Sequence, residues 1–489
     1  MDFASLTLFL ILYYIRPQEW IAAIQPLKPV TLIMAFAIIS ILMRPRGFTL
    51  KELFKTPHDW MMLFYCLWIV IAAPDKMDTF KSVYTLYLFY AVTVLALSNL
   101  DRVRRFMTWW AVMIFVLAGL AVLSEYGFDP TYSYDITHGI MQHRLVFNTS
   151  LYNNPNALGH SIVPVLVMLY FLFIWKRPIF VRIGAIPLFV VPVYCIYLTV
   201  SKGAFVSGFA TLVAALSFGR PKVVQILILV GAMTVGWGAL KSLPRMQEIQ
   251  KSRTDDAIQG RISAFKFGLH KLKTDFTGVG KDRFVPTMFR ETKIYKAAHS
   301  SYVQIGCELG KVGLFLFLGN LYCALRTLVS AKTRNTDEER VRRILFSMII
   351  SYMVSSWMVD FAYRANYFMF CGAIAAFHRM MMSGKTLSET AEDNQTVQEA
   401  IGSLAAAPIG GLRPAAAGMA PAVINQATIS QAAITVPALP GPLSKGEPYA
   451  EENPGPGITW MKYRWVDFAL NYLLFYAVIR FWDYILRNM

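Results

Sequence analysis

The chain has 489 residues, 56% of them hydrophobic and 16% charged, with a mean hydropathy of +0.44. Soluble chains carry about 25% charged residues, so an ordinary soluble domain is excluded. Repeated apolar runs near twenty residues long point to a polytopic helical membrane protein. The net charge of +17 would suggest nucleic acid in a soluble protein. Here the basic residues sit between apolar runs, which favours phospholipid head groups or a phosphorylated substrate and no nucleic acid.

In chain order, the start Met1-Asp2-Phe3 lacks a basic leader and a small-residue cleavage site, and reads as a first membrane helix. The pattern predicts twelve spans, near 3–15, 29–43, 60–73, 79–98, 106–124, 156–175, 181–200, 203–218, 222–240, 300–326, 343–361 and 366–382. The expected fold class is therefore an all-α polytopic membrane protein of about twelve transmembrane helices, with a large loop between spans 9 and 10. The five cysteines (66, 195, 307, 323, 371) lie in or beside apolar runs without a C-x-x-C pair, so they read as buried thiols.

Loop charge sets the orientation, because Lys and Arg accumulate on the cytoplasmic side. The even-numbered loops hold eighteen such residues and the short odd-numbered loops seven. Both ends of the twelve-helix core are then cytoplasmic, and residues 241–299 face outward. That loop carries thirteen Lys/Arg against six Asp/Glu. Tolerated charge on a long loop is one reading; an anionic ligand outside the membrane is the other, and the one favoured.

Residues 383–459 turn to Ala, Pro, Gly, Ser and Gln without an apolar face, the composition of a disordered cytoplasmic linker. Residues 460–489 follow with Trp, Tyr and Arg flanking a short apolar core, which predicts an amphipathic, membrane-associated helix instead of a thirteenth span.

Several residues could carry chemistry. After Gly260, the spacing of Ile262, Phe265, Leu269 and Leu272 predicts an amphipathic helix with Arg261 in its first turn. A guanidinium there is either a solvated surface group or a bidentate phosphate clamp. His299 ends the polar loop where span 10 begins; it is either an interfacial cap or a base able to activate a hydroxyl near neutral pH. Glu308 lies further along the same span and reads as a packing and hydrogen-bonding group, with Gly306, Gly310 and Gly313 allowing another helix to approach. Lys202, in the turn Ser201-Lys202-Gly203, can contact a phosphate as a point charge. The rival there, a Ser201–Lys202 nucleophile–base dyad, suffers because adjacent side chains seldom converge. Asn154 or Asn156 in Tyr152-Asn-Asn-Pro-Asn156 can cap span 6, and such amides can also bind sugar hydroxyls. Arg364 lies in the turn between spans 11 and 12 and can join the same basic rim. His138, His143 and His160 match no metal-ligand spacing, and no P-loop or G-x-G-x-x-G marks a nucleotide-dependent enzyme.

The succession Ser201-Lys202-Gly203-Ala204-Phe205, Gly260-Arg261, Gly278-Val-Gly280, His299-Ser300-Ser301-Tyr302 and Glu308-Leu309-Gly310-Lys-Val-Gly313 resembles the O-antigen ligase superfamily. This group includes O-antigen ligases, polysaccharide polymerases and protein O-oligosaccharyltransferases. The start Tyr13-Tyr-Ile-Arg-Pro-Gln-Glu19 is similar to O-glycosylation ligases found beside exosortase systems. The resemblance covers residues 1–382 as a ligase-like membrane domain with a periplasmic loop. It implies transfer of a glycan from an undecaprenyl-pyrophosphate carrier to a lipid or protein acceptor, at the bacterial inner membrane, without a nucleotide, metal or other cofactor. It further implies that Arg261 binds the pyrophosphate and His299 orients or deprotonates the acceptor; the candidate site adds Lys202, Arg364, Asn154 and Tyr302 for substrate contact, with Glu308, Gly310 and Gly313 in support. Lys202 stands where the family commonly has arginine, and Ser300 where asparagine is frequent. Two readings compete with glycan transfer: a transporter or flippase for lipid-linked sugars, and an intramembrane hydrolase using Ser201 and Lys202.

Overall fold

The computed structural model describes residues 2–43, 49–242, 256–383 and 457–488, and every regular element among them is helical. Each of the twelve expected segments falls on a helix. In order these are α1 (Asp2–Tyr14), α2 (Pro29–Leu42), α3 (Pro57–Ile71), α4 (Lys76–Ala96), α5 (Leu100–Leu123) and α6 (Pro155–Leu169). The short helix Ile179–Ala185 then leads into α7 (Pro187–Leu198), followed by α8 (Lys202–Ser217) and α9 (Lys222–Ser242). The polar loop supplies α10 (Asp256–Thr274) and α11 (Phe284–Thr292); α12 (Ser301–Ser330), α13 (Thr336–Ser355) and α14 (Ala365–Ser383) complete the core, and α15 (Trp465–Asn488) follows. Among the described residues six stretches are long and apolar enough to cross a membrane: Gln25–Leu42, Lys76–Ala96, Leu100–Tyr126, Pro155–Ile174, Ile179–Leu198 and Ser301–Ser330. Others, such as Asp2–Tyr14, Pro57–Ile71 and Lys202–Ser217, are apolar but shorter.

Local chemistry explains where the helices start. Thr56 and Asp59 form a reciprocal capping box ahead of Pro57, and Asp75, Asn99, Asn154, Ser201, Ser300 and Asn335 each accept a backbone N–H at their own helix start. Helix packing pairs α4 with α14, α8 with α13 and α6, α3 with α12, and α1 with α2. At one end of the bundle the buried Asp59 carboxylate ties three helices: it accepts from Arg379 at 2.9 Å and from the Tyr90 hydroxyl at 2.7 Å. Asp59 is fully buried, so removal of either donor would leave an under-compensated charge.

Helix α12 departs from expectation. It is broken at Gly310, whose φ of 65° lies in the left-handed region. The freed carbonyls of Cys307 and Glu308 accept the N–H groups of Val279 and Gly280 at 3.0 and 2.8 Å, and Leu309 O accepts Trp68 Nε1 at 2.9 Å. Irregular backbone inside a helical bundle persists only with such replacement partners. Gly310 therefore abuts a loop at Phe276–Gly278 and not another helix. Gly313 has its own turn's Leu309 as neighbour, and Gly306 alone of the three lies against another helix, under the Trp482 ring of α15.

The C-terminal segment 460–489 contains α15, a helix packed along α12 and α10. Trp482 is fully buried and its Nε1 donates to Phe265 O at 3.2 Å. All but the edges of the linker expected at 383–459 lie outside the described residues.

Candidate functional site

The starts of α6, α8, α12 and α14 meet at one end of the bundle. Asn154 caps α6, its Oδ1 accepting from Asn156 and Ala157 N–H at 2.9 and 3.4 Å. The next polar residue, Asn156, uses its own Oδ1 to accept from Ser201 Oγ at 2.8 Å and Arg144 Nη2 at 3.0 Å, which fastens the start of α8 to α6. Ser201 Oγ also accepts Ala204 N–H. With its hydroxyl spent on the cap and on Asn156, Ser201 is not arranged as a nucleophile for Lys202. Gly203, the second residue of α8, lies against His160 Nε2 and the Met358 side chain, where a Cβ would come within 2.8 and 3.1 Å.

The start of α12 is fastened to the turn between α13 and α14 residue by residue. Ser300 Oγ donates to Ser356 O at 3.1 Å, while Ser301 N donates to Ser356 O at 2.7 Å and to Val359 O at 3.1 Å. Ser301 Oγ donates to Val359 O and accepts Phe361 N–H, both at 2.9 Å. The consecutive hydroxyls of His299-Ser300-Ser301 are thus structural buttons, and they set His299 opposite Asp360.

His299 has φ 49°. The left-handed conformation costs a residue with a Cβ roughly 1–2 kcal/mol, and here the flanking hydrogen bonds hold it. Its backbone N–H donates to Asp360 Oδ2 at 3.2 Å, and its Nδ1 lies 3.9 Å from the same oxygen. Both side chains are about one-third exposed (32% and 30%), so the pair is open to a ligand. Burial lowers the His299 pKa below its ordinary 6.5; Asp360 opposes this, while Arg261 and Lys296 add to it. Burial conversely raises Asp360, against the pull of His299, the backbone N–H groups of Ser300 and His299, and Arg364.

Arg261 stands in the second turn of α10, which lies over α12 with Ile262, Phe265, Leu269 and Leu272 buried beneath it. Burial lowers the Arg261 pKa and the Asp360 carboxylate raises it, so the guanidinium lies within electrostatic reach of both Asp360 and His299. Lys296 comes next to it: its side chain crosses Gly260 so closely that a Cβ there would meet Cε at 2.6 Å. Arg364 donates Nε to Asp360 O at 3.3 Å and Nη1 to Leu151 O at 3.2 Å, joining the turn to the α6 approach.

The residues expected at the site thus divide. Arg261, His299 and Arg364 gather around Asp360, and Lys202 flanks the same turn through Gly203 and Met358. Asn154 serves as a helix cap. Tyr302, expected at the substrate, is instead buried in the bundle (2% exposed), with its hydroxyl donating to Met353 O at 3.0 Å. Glu308 is buried beside the α12 break and accepts Phe284 N–H at 3.1 Å. Asp360 and Lys296 were not singled out by the sequence, and Asn156, the other cap candidate, binds Ser201 and Arg144 instead. Among the described residues no group of three or more His, Cys, Asp or Glu side chains is placed to hold a metal ion; His138 and His143 pair with each other at 2.7 Å and His138 with Glu125 at 2.8 Å, apart from His160.

Chemically the arrangement suits an anion. Each helix start carries a partial positive charge of about half a unit, and Arg261, Lys296, Lys202 and Arg364 add full charges around the Asp360 carboxylate. Residues 187–318 match the family model described as O-antigen ligase. This stretch belongs to the O-antigen ligase superfamily. The match takes in Lys202, Arg261 and His299 and stops before Asp360. No curated protein matches the chain. The matched stretch supports a ligase- or polymerase-type function, and the apolar helices fit a multi-pass membrane protein.

Proposed function

We propose that this chain transfers a glycan from an undecaprenyl-pyrophosphate carrier to an acceptor hydroxyl at the outer face of the bacterial inner membrane. In this reading the core spans the membrane twelve times, residues 241–299 lie outside, and both ends of the core are cytoplasmic, as the loop charges favour. One observation carries the proposal: Arg261, His299 and Asp360, from three separate elements, converge where four helices present their positive ends.

With Nδ1 turned toward Asp360, His299 offers Nε2 to the acceptor hydroxyl. Nε2 takes the hydroxyl proton as the oxygen forms a bond to the anomeric carbon. The bond from that carbon to the pyrophosphate oxygen breaks, and its electron pair leaves on the carrier. Arg261 meets the charge that grows on this oxygen, aided by Lys296 and Lys202, and fixed cations aimed at developing charge are the strongest form of such stabilisation. Asp360 supports the imidazolium that forms. The carrier's lipid tail confines the donor to the membrane surface, so the search reduces to orientation.

A flippase needs substrate groups near the middle of its spans, whereas these cations gather at the end of the bundle. Ligase and polymerase differ only in the acceptor. A deletion strain separates them: full-length chains accumulating on the carrier indicate a ligase, single repeat units a polymerase. The core test uses purified full-length protein with lipid-linked glycan and acceptor. Near-normal turnover after either Arg261→Ala or His299→Ala would refute the assignment.

A further inference from the structure

The opposite end of α6 carries a second cationic cavity that the transfer reaction does not use. From Pro155 to Ile174 the helix, ending in a π-helical turn at Tyr170–Ile174, rises about 30 Å, so the two sites are a bilayer core apart. The cavity, of about 260 Å3, lies between the first turns of α5 and the end of α6; its lining is Arg104, Arg105, Thr108, Trp109, Leu172, Phe173 and Arg177.

Its electrostatics are unbalanced. Arg104 pairs with Asp101 at 3.0 Å and Asp337 at 3.4 Å, and Arg105 with Asp101 at 2.8 Å. Arg340, from α13, repels both Arg177 and Arg104 and pairs with Asp337. Four guanidinium groups therefore share two carboxylates. Arg177 Nε is held by Leu172 O at 2.9 Å and Arg340 Nε by Phe171 O at 3.0 Å, both taken from the irregular end of α6. The surplus charge is thus fixed in place by backbone carbonyls. Beneath the cationic rim the lining turns apolar, through Leu172, Phe173 and Trp109, which is 45% exposed. Tryptophan with arginine above it is the side-chain order of a membrane–water boundary.

A cationic rim over an apolar wall fits an amphiphile with an anionic head. We propose that this cavity binds the phosphate-bearing head group of an anionic glycerophospholipid, with Arg105 and Arg177 on the phosphate and the acyl chains outside along Trp109 and Phe173. The volume supports this division, since pockets that enclose a whole drug-sized ligand measure about 300–1,000 Å3. A free phosphate shares the head-group chemistry but makes no use of the apolar wall.

The test reconstitutes the full-length chain in nanodiscs of equal phosphatidylglycerol and phosphatidylcholine and counts retained lipid by native mass spectrometry. The expected result is retention of phosphatidylglycerol over phosphatidylcholine. Each arginine near a membrane surface contributes about 1 kcal/mol, so Arg105→Gln with Arg177→Gln lowers that preference about thirtyfold, while the paired lysine variants keep most of it. If the double variant is unstable, Arg105→Gln alone, at a side chain 65% exposed, lowers the preference about fivefold. Equal retention of the two lipids by the unaltered chain, an unchanged preference in the glutamine variants, or displacement of the lipid by millimolar inorganic phosphate would each overturn the proposal. None of these readouts involves glycan transfer, so the result stands apart from the assignment of the other site.

Discussion

Asp360 Oδ2 receives the backbone N–H of His299 at 3.2 Å and lies 3.9 Å from the Nδ1 of the same residue, so one carboxylate oxygen holds the main chain and faces the ring. In the proposed reaction His299 acts only while neutral, and burial, Arg261 and Lys296 all favour the neutral ring. Transfer should therefore fall off in acid with a midpoint below the ordinary histidine value of 6.5. Asp360→Asn removes the one influence that raises the pKa, so the acid midpoint moves lower still, while the neutral-pH rate drops about 10–100-fold, as for other orienting partners. A pH–rate profile of both proteins measures this. A midpoint that rises in Asp360→Asn would mean that the carboxylate is not acting on His299.

Arg261→Ala should lower the maximal transfer rate by about 10²–10³-fold, the loss typical of one fixed donor at a developing charge. Arg261→Lys keeps the charge but not the two-pronged geometry, and should recover only a small part. Turnover at saturating lipid-linked donor is the measurement. An effect confined to the Michaelis constant would assign Arg261 to ground-state binding of the carrier.

Lys202 begins α8 beside the same turn, in a position suited to a single charged contact. Lys202→Arg should retain most activity, and Lys202→Ala should weaken donor affinity by about tenfold, as expected for one charge-assisted contact. A titration with lipid-linked donor distinguishes them; equal, complete loss in both would exclude a simple phosphate contact.

How much of this was legible beforehand follows from what each feature rests on. The helices were readable because their apolar runs are bounded by capping residues that the chain uses as caps, Asn154 and Ser201 among them. His299 and Arg261 stood out because each begins an apolar periodicity after a polar stretch. Asp360 did not: its relation to His299 spans 61 residues, and Val359-Asp360-Phe361 has no local pattern. Lys296 was hidden among thirteen basic residues of one loop. Tyr302 misled because its neighbours in the His-Ser-Ser-Tyr run sit at the site, while one step further into the helix the side chain turns inward.

The spacing of Gly306, Gly310 and Gly313 suits glycines packing on one helix face, and the sign of φ is not written in a sequence. At Gly310 the φ of 65° and the Phe276 carbonyl next to its α-carbon leave no room for a methyl group. Gly310→Ala should destabilise the protein by about 2–4 kcal/mol through strain and the loss of the loop contacts at Val279 and Gly280. Thermal melting in detergent gives the value. A melting point equal to that of the unaltered chain would show that the break in α12 relaxes freely.

Trp482 links the C-terminal helix to α10, the helix that carries Arg261, by a short mechanical path. Its ring covers Gly306 of α12 and Gly268 of α10, and its Nε1 holds Phe265 O, one turn from Arg261 on the same helix. Trp482→Ala should cost about 3–5 kcal/mol, the usual price of an emptied aromatic core position, and should free the outer edge of α10. Transfer activity should then fall at temperatures where the helix core still melts intact, because α10 carries Arg261 while His299 and Asp360 remain fastened by Ser300 and Ser301. Trp482→Phe fills most of the volume without the hydrogen bond and should recover most of the activity. Parallel melting and transfer measurements decide the matter: activity and melting point lost in strict proportion across both variants would make Trp482 a packing residue with no special hold on Arg261.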